Sequence, residues 1–285
     1  MRLPALTAAI LLALAGPAPA DIRVEVLAVS TAAMENPHDI VLGPGGRHLY
    51  VADVGNDRVL VLEAESLAEV DAWGADHQSG THDVAFDAAG RLYVADTHNN
   101  RATIYAMEGT RGRLVGALSE RLRGVEGVLP HPNGRVYVGG AWSGNVVAFA
   151  EGRPVAELGG LSSPHDLALM PDGTIWLADS GNDRLLLLDA DLGVLRRLEG
   201  APYGFRGPRY LAVMPDGTLI VADKNSHSVK VIAADGRLLG VIAALGAGLS
   251  PDRLRTPEGA EISGDTLWIA DSGNDRVLRL RLRLD

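Results

Sequence analysis

Short apolar runs recur along this chain at close intervals, each bounded by Gly, Pro, Asn or Asp. Leu49-Tyr50-Val51-Ala52 is followed by Gly55-Asn56 and then by Val59–Leu62, and the same alternation returns to the C-terminus. Runs of four to six residues between turn residues predict β-strands, because a helix needs a longer stretch and a 3.6-residue period. Asn-Gly, Asp-Gly and Gly-Asn pairs at the joints suit tight hairpins, since these residues tolerate positive φ.

The runs group into units. Residues 37–64, 81–106, 125–150, 164–190, 208–234 and 257–282 align with one another, and the residue at their Ala-Asp step is Asp53, Asp96, Gly140, Asp179, Asp223 and Asp271. A period of about 43 residues is that of a propeller blade. The pattern predicts an all-β fold, a six-bladed β-propeller of four-stranded antiparallel blades. The last unit has three strands, and Ile22–Val29 is a strand with no unit of its own. The N-terminal strand is therefore expected to join the last blade and close the ring, which removes exposed sheet edges.

Residues 1–20 differ. Met1-Arg2 precedes an apolar stretch, Leu3 to Ala15, and Ala18-Pro19-Ala20 ends it. This is the pattern of a signal peptide cleaved after Ala20. It predicts a periplasmic or secreted protein whose domain is 21–285, with no membrane span in the mature chain. The 285 residues contain 26 basic and 36 acidic side chains and no cysteine. The acidic balance argues against nucleic acid as a partner, because no basic excess exists to neutralise phosphates. The missing cysteines exclude disulfides, thiolate metal sites and thiol catalysis. No phosphate loop or dinucleotide motif appears, so neither a nucleotide nor a flavin is expected. The serines lie in turn motifs and suggest no Ser-His-Asp triad.

Residues that recur in nearly every unit are read as structural. The repeated Asp should accept backbone N–H groups, and Asn56, Asn100, Asn182 and Asn274 should take left-handed turns. Arg58, Arg101, Arg184 and Arg276 should bridge strands or blades. Chemistry is expected where the units differ. At the start of the six inner strands, facing one mouth of the channel, stand His38, His82, Glu126, His165, Arg209 and Glu258. Alternate blades place three groups about the axis. One set, His82, His165 and Glu258, is a ligand set for a divalent metal, Zn²⁺ first, with iron also chemically suited. His38, His82 and His165 form an alternative set. The remaining ring residues His38, Glu126 and Arg209 would then serve catalysis by orienting water, moving a proton or holding an anion. Asp39, Asp83 and Asp166 are expected to be structural or to orient the imidazoles. After the Ala-Asp step, His98, Trp142 and Lys224 replace small residues and are candidates for substrate binding. Tyr203, Phe205, Arg206 and Tyr210 belong to a Gly/Pro-bearing stretch expected over a mouth.

Pro-His-Asp at 37–39 and 164–166, Pro-Asp-Gly, and Ala-Asp-Ser-Gly-Asn-Asp-Arg at 178–184 and 270–276 carry a resemblance to the NHL-repeat six-bladed propellers. The resemblance covers essentially all of 21–285. Within that group the chain partly resembles the peptidyl-α-hydroxyglycine α-amidating lyases. That likeness implies zinc on the axis through His82 and His165, with Glu258 in place of a third His, and Tyr210 with Arg209 near the metal. The resulting expectation is a metal-dependent lyase or hydrolase, amidating-lyase-like or lactonase-like, acting on a small molecule or peptide in the central channel. The alternative is a non-catalytic propeller that binds a ligand or a protein.

Overall fold

The structure, a computed structural model, describes residues 22–242, 250 and 253–284. The expected signal peptide lies outside the described residues. Six four-stranded antiparallel sheets follow one another around an axis. The inner strands are Pro37–Leu42, Thr81–Phe86, Val125–Pro130, Pro164–Leu169, Pro208–Val213 and Gly259–Ser263, and each touches its neighbours in the ring. Ile22–Val29 pairs antiparallel with Arg276–Leu284, running from Ile22 opposite Leu284 to Val29 opposite Leu278. The ring therefore closes as expected, and blade 6 takes its outer strand from the N-terminus. No described helix is long and apolar enough to cross a membrane.

The alternation of the strands buries side chains between neighbouring blades. Ile40, Leu49, Leu60 and Leu62 of blade 1 pack on Trp268 and Ala270 of blade 6. Tyr93 and Val94 of blade 2 point opposite ways, to blade 3 and to blade 1. Burial on both faces is why these strands read as apolar runs.

The repeated Asp is a latch within every blade but the third, where Gly140 stands in its place. Asp53 accepts Glu35 N–H at 2.8 Å, Asn56 Nδ2 at 2.9 Å and Arg58 Nε at 2.7 Å. Asp179 and Asp271 repeat the arrangement with Arg184 and Arg276. These arginines thus pin the turn to their own blade. Asn56, Asn182 and Asn274 do not adopt the left-handed conformation expected of them. They bind the latch carboxylate instead, and the next residue turns left-handed: Asp57, Asp183 and Asp275, with Asn100 and His227 at the same place in blades 2 and 5.

That left-handed residue joins the blades. Asp57, Asn100, Asp183, His227 and Asp275 accept the N–H of Gly80, Gly124, Gly207, Thr256 and Asn36, each on the following blade. A second tier sits lower on the axis. Asp39, Asp83, Asp166 and Glu261 accept the N–H of Val84, Val128, Leu211 and Leu42, again on the following blade. Asp39, Asp83 and Asp166 therefore clip inner strands together and do not orient the imidazoles, because strand alternation turns them to the other side. They and Glu261 line a cavity of about 180 Å³ at the far end of the channel.

Crowding these carboxyls away from water disfavours their charge. Burial raises Asp39 and Asp166 well above the usual range, with neighbouring carboxylates adding to it, and raises Glu261 to about 7. A carboxyl raised on folding stabilises the native state below its unfolded pKa and loses that contribution as pH rises through the folded value. For Glu261 the window is pH 4.5 to about 7. Glu261→Gln keeps the acceptor for Leu42 N–H and removes the charge. We expect it to gain about 3 kcal/mol in urea unfolding at pH 8 and almost nothing at pH 4.5. An equal effect at both pH values would refute this account.

Candidate active site

The six ring residues meet at one mouth, and the order His-His-Glu in blades 1–3 is answered by His-Arg-Glu in blades 4–6. Two His–Glu pairs form across the blade 3–4 and 6–1 boundaries. His165 Nε2 contacts the Glu126 carboxylate, and His38 Nε2 lies 3.3 Å from Glu258 Oε1. Glycine makes both pairs possible. A Cβ at Gly127 would strike the His165 carbonyl, and one at Gly259 would strike the His38 carbonyl. The two Glu-Gly dipeptides thus let the next blade's His backbone come close.

The ring departs from two-fold symmetry at blades 2 and 5, which face each other across the axis. Blade 5 supplies cations. Arg209 Nη1 donates to His165 Nδ1 at 2.9 Å, its Nε lies 3.8 Å from Glu258 Oε2, and Lys224 Nζ lies 2.5 Å from Glu258 Oε1. Two cations thus share one carboxylate. Glu258 is fully buried, and its oxygens have these ion-pair neighbours but no hydrogen bond of good geometry among the described residues. His165 Nδ1 lies between the Arg209 guanidinium, which only donates, and Ser163 O at 2.8 Å, which only accepts, while Nε2 faces the Glu126 carboxylate. Burial pushes Glu126 up, but His165 against it, with His82 and Arg209 nearby, outweighs burial and holds it at about 2.

Blade 2 supplies a base. His82 Nδ1 lies 3.0 Å from Gly80 O and 2.8 Å from Thr97 Oγ1, whose hydroxyl donates to Val125 O. A carbonyl only accepts, so Nδ1 carries the proton and Nε2 is left with its lone pair. Nε2 has no hydrogen-bond partner among the described residues, and the side chain is partly exposed. Burial lowers the pKa of His82, and burial together with His82 and Lys224 lowers that of His38 further. Burial thus favours the neutral imidazole at His82. Thr97 is a residue that the motif reading missed. Its signal was its place directly after the latch Asp, where Val54 and Ala141 stand in other blades.

The expected metal set is not gathered here. Among the described residues no three His, Asp or Glu side chains stand where they could hold one ion. Both His165 nitrogens have partners, and a cation at Glu258 would have to displace Lys224. The donor set in this arrangement does not fit a divalent ion.

Tyr210 occupies the position held by Asp39, Asp83 and Asp166 in other blades. Its hydroxyl crosses the channel from blade 5 and donates to Glu126 O at 3.1 Å, with its ring 6.3 Å from His38 and 6.2 Å from His165. It is fully buried, and burial raises its pKa well above 10.0. It forms the floor of the mouth, its ring lying against His38 and His165. His98 and Trp142 lie on the mouth face beside the ring, and Lys224 stands on the opposite side. The stretch Tyr203–Arg206 does not cover the mouth as expected. Phe205 is buried against the flank of blades 4 and 5, and Tyr203 stacks on it and donates to Gly236 O.

Residues 16–245 match the family model described as lactonase, 7-bladed beta-propeller. The chain belongs to this family. The family's description names seven blades, whereas this lactonase-family propeller closes with six, its N-terminal strand completing the sixth sheet. No curated protein matches the chain. Solved structures similar to it include a catalytically inactive virginiamycin B lyase from Staphylococcus aureus with quinupristin, at 12% identity, 92% of this chain, all of that chain and TM-score 0.67. A streptogramin B lyase is similar at 11% identity, 92% of this chain, 98% of that one and TM-score 0.67. A protein of unknown function from Bacteroides thetaiotaomicron is similar at 13% identity, 93% of this chain, 76% of that one and TM-score 0.74. At these identities the likeness concerns the fold.

Proposed function

We propose that this lactonase-family propeller opens a lactone or related ester of a small molecule or peptide at the mouth ringed by His38, His82, Glu126, His165, Arg209 and Glu258. The observation that carries this reading is His82, whose Nδ1 lies against Gly80 O and Thr97 Oγ1 and whose Nε2 has no partner among the described residues, on the blade opposite a pair of cations. Ester opening needs a base on one side and stabilisation of negative oxygen on the other. In hydrolysis, His82 Nε2 takes a proton from water as the oxygen attacks the acyl carbon, and it returns that proton to the ring oxygen, which leaves as an alcohol. In elimination, the same nitrogen takes a proton from the carbon beside the C–O bond, and the carboxylate leaves. Negative charge falls on Arg209 and Lys224 in either case. The two similar lyase structures and the family both suit bond cleavage of this kind. The signal-peptide pattern of residues 1–20 supports a reaction in the periplasm or outside the cell.

Amidating-lyase chemistry, suggested by the repeats, asks for zinc on the axis, and Lys224 at Glu258 disfavours it. A panel of γ- and δ-lactones, followed by acid release and product mass, tests the proposal. Hydrolysis adds the mass of water, whereas elimination leaves the mass unchanged and creates a double bond. Turnover is expected to persist after exhaustive chelation. Turnover lost on chelation and restored by Zn²⁺ would mean that the ring rearranges to admit a metal. No turnover of any lactone, with or without metal, would leave a ligand-binding propeller.

A further inference from the structure

The turn after each latch and the turn before each inner strand lie against each other, and the six blades solve the crowding in two ways. In blades 1, 4 and 6 the residue two after the latch is glycine, Gly55, Gly181 and Gly273, and a Cβ there would strike Glu35, Ser162 or Thr256. In blades 2, 3 and 5 the glycine moves to the opposing turn as Gly80, Gly124 and Gly207, and the freed position carries His98, Trp142 and Asn225. The place of Gly80, Gly124 and Gly207 has positive φ in all six blades, with Asn36, Ser163 and Thr256 in the others, so a side chain at Gly80 or Gly124 would meet both backbone strain and an aromatic ring.

Blades 2 and 3 are neighbours, so their two rings meet. His98 and Trp142 stack with centroids 5.8 Å apart and planes 28° apart. One side of the pair lies on the Gly80 and Gly124 backbones, two residues before His82 and Glu126. Trp142 is 53% exposed, whereas Trp73, Trp176 and Trp268 are 8%, 2% and 5% exposed. The other exposed large apolar side chains among the described residues lie on the outermost strands of the blades. Trp142 is thus an apolar surface on a polar face, held beside the proposed base.

We infer that the His98–Trp142 pair is a stacking shelf for an aromatic ring carried by the ester substrate, which selects aryl-substituted lactones over alkyl ones. Aromatic pairs prefer offset stacking, and a ring already backed on one side loses little freedom when it is covered. The inference rests on the lactone-opening reading for its substrate, but the shelf is separately observable.

Two measurements test it, using δ-phenyl-δ-valerolactone and δ-valerolactone as probes. In Trp142→Ala, kcat/KM for the phenyl lactone should fall about 10-fold, while that for the plain lactone stays within about 2-fold. Trp142→Phe should recover most of the loss. In the His82→Gln background, acrylamide quenching reports Trp142, the exposed indole. The phenyl lactone should protect it saturably, and the plain lactone should not. Equal losses on both lactones in Trp142→Ala, or no protection by the phenyl lactone, would overturn the shelf. Protection without turnover of either lactone in the wild type would uphold the shelf and overturn the enzymatic reading.

Discussion

His82→Gln is expected to lower lactone turnover by about 10²–10⁴-fold, the contribution of one positioned general base. The substitution removes the Nε2 lone pair and keeps a polar side chain at a partly exposed site, so circular dichroism and melting temperature should stay near wild type. Thr97 acts through His82 as a positioning residue. Thr97→Val removes the oxygen beside Nδ1 and should cost about 10-fold in kcat with little change in KM, whereas Thr97→Ser restores it. Two-bond ¹⁵N–¹H spectra of histidine-labelled protein supply a readout independent of turnover, with His82 protonated at Nδ1. A His82 protonated at Nε2, or a His82→Gln loss below about 5-fold, would remove it from the role of base.

Tyr210→Ala is expected to destabilise the propeller by about 4 kcal/mol, because it empties a fully buried aromatic site. Tyr210→Phe, which removes the hydroxyl that reaches Glu126 O, should cost about 1 kcal/mol. The pair separates floor from catalyst. Tyr210→Phe should leave lactone turnover within about 3-fold, since a hydroxyl bound to a backbone carbonyl takes no part in proton transfer. Urea unfolding and kcat on the two variants decide this. A Tyr210→Phe variant as stable as wild type but inactive would place the phenol in the chemistry and would require it to leave Glu126 O.

The fold was legible because each blade is written locally. Turn residues sit at every hairpin, apolar runs fit strands buried on both faces, and the unmatched strand at Ile22–Val29 has its partner in the incomplete last unit. The ring of His38, His82, Glu126, His165, Arg209 and Glu258 was legible for the same reason, since equal position in a repeat means equal height on an axis. Stacking of the blades decided the rest. A sequence repeat says which groups face the channel but not how two blades approach, and that distance set the partners. Glycine at 127 and 259 lets His165 and His38 reach a Glu of the preceding blade, and Lys224 and Arg209 crowd the carboxylate at Glu258. A trio spaced evenly by blade number was thereby split: His165 and Glu258 joined different ion pairs, and His82 turned to Gly80 O and Thr97. The left-handed Asp57, Asp183 and Asp275 look like turn residues in one blade, yet their carboxylates hold the next one. Asp39, Asp83 and Asp166 look like partners of the adjacent His, yet the pleat sends them to the other end of the channel. Local geometry determined the blades and the ring, and long-range packing determined which members of the ring share a proton, a charge or a wall.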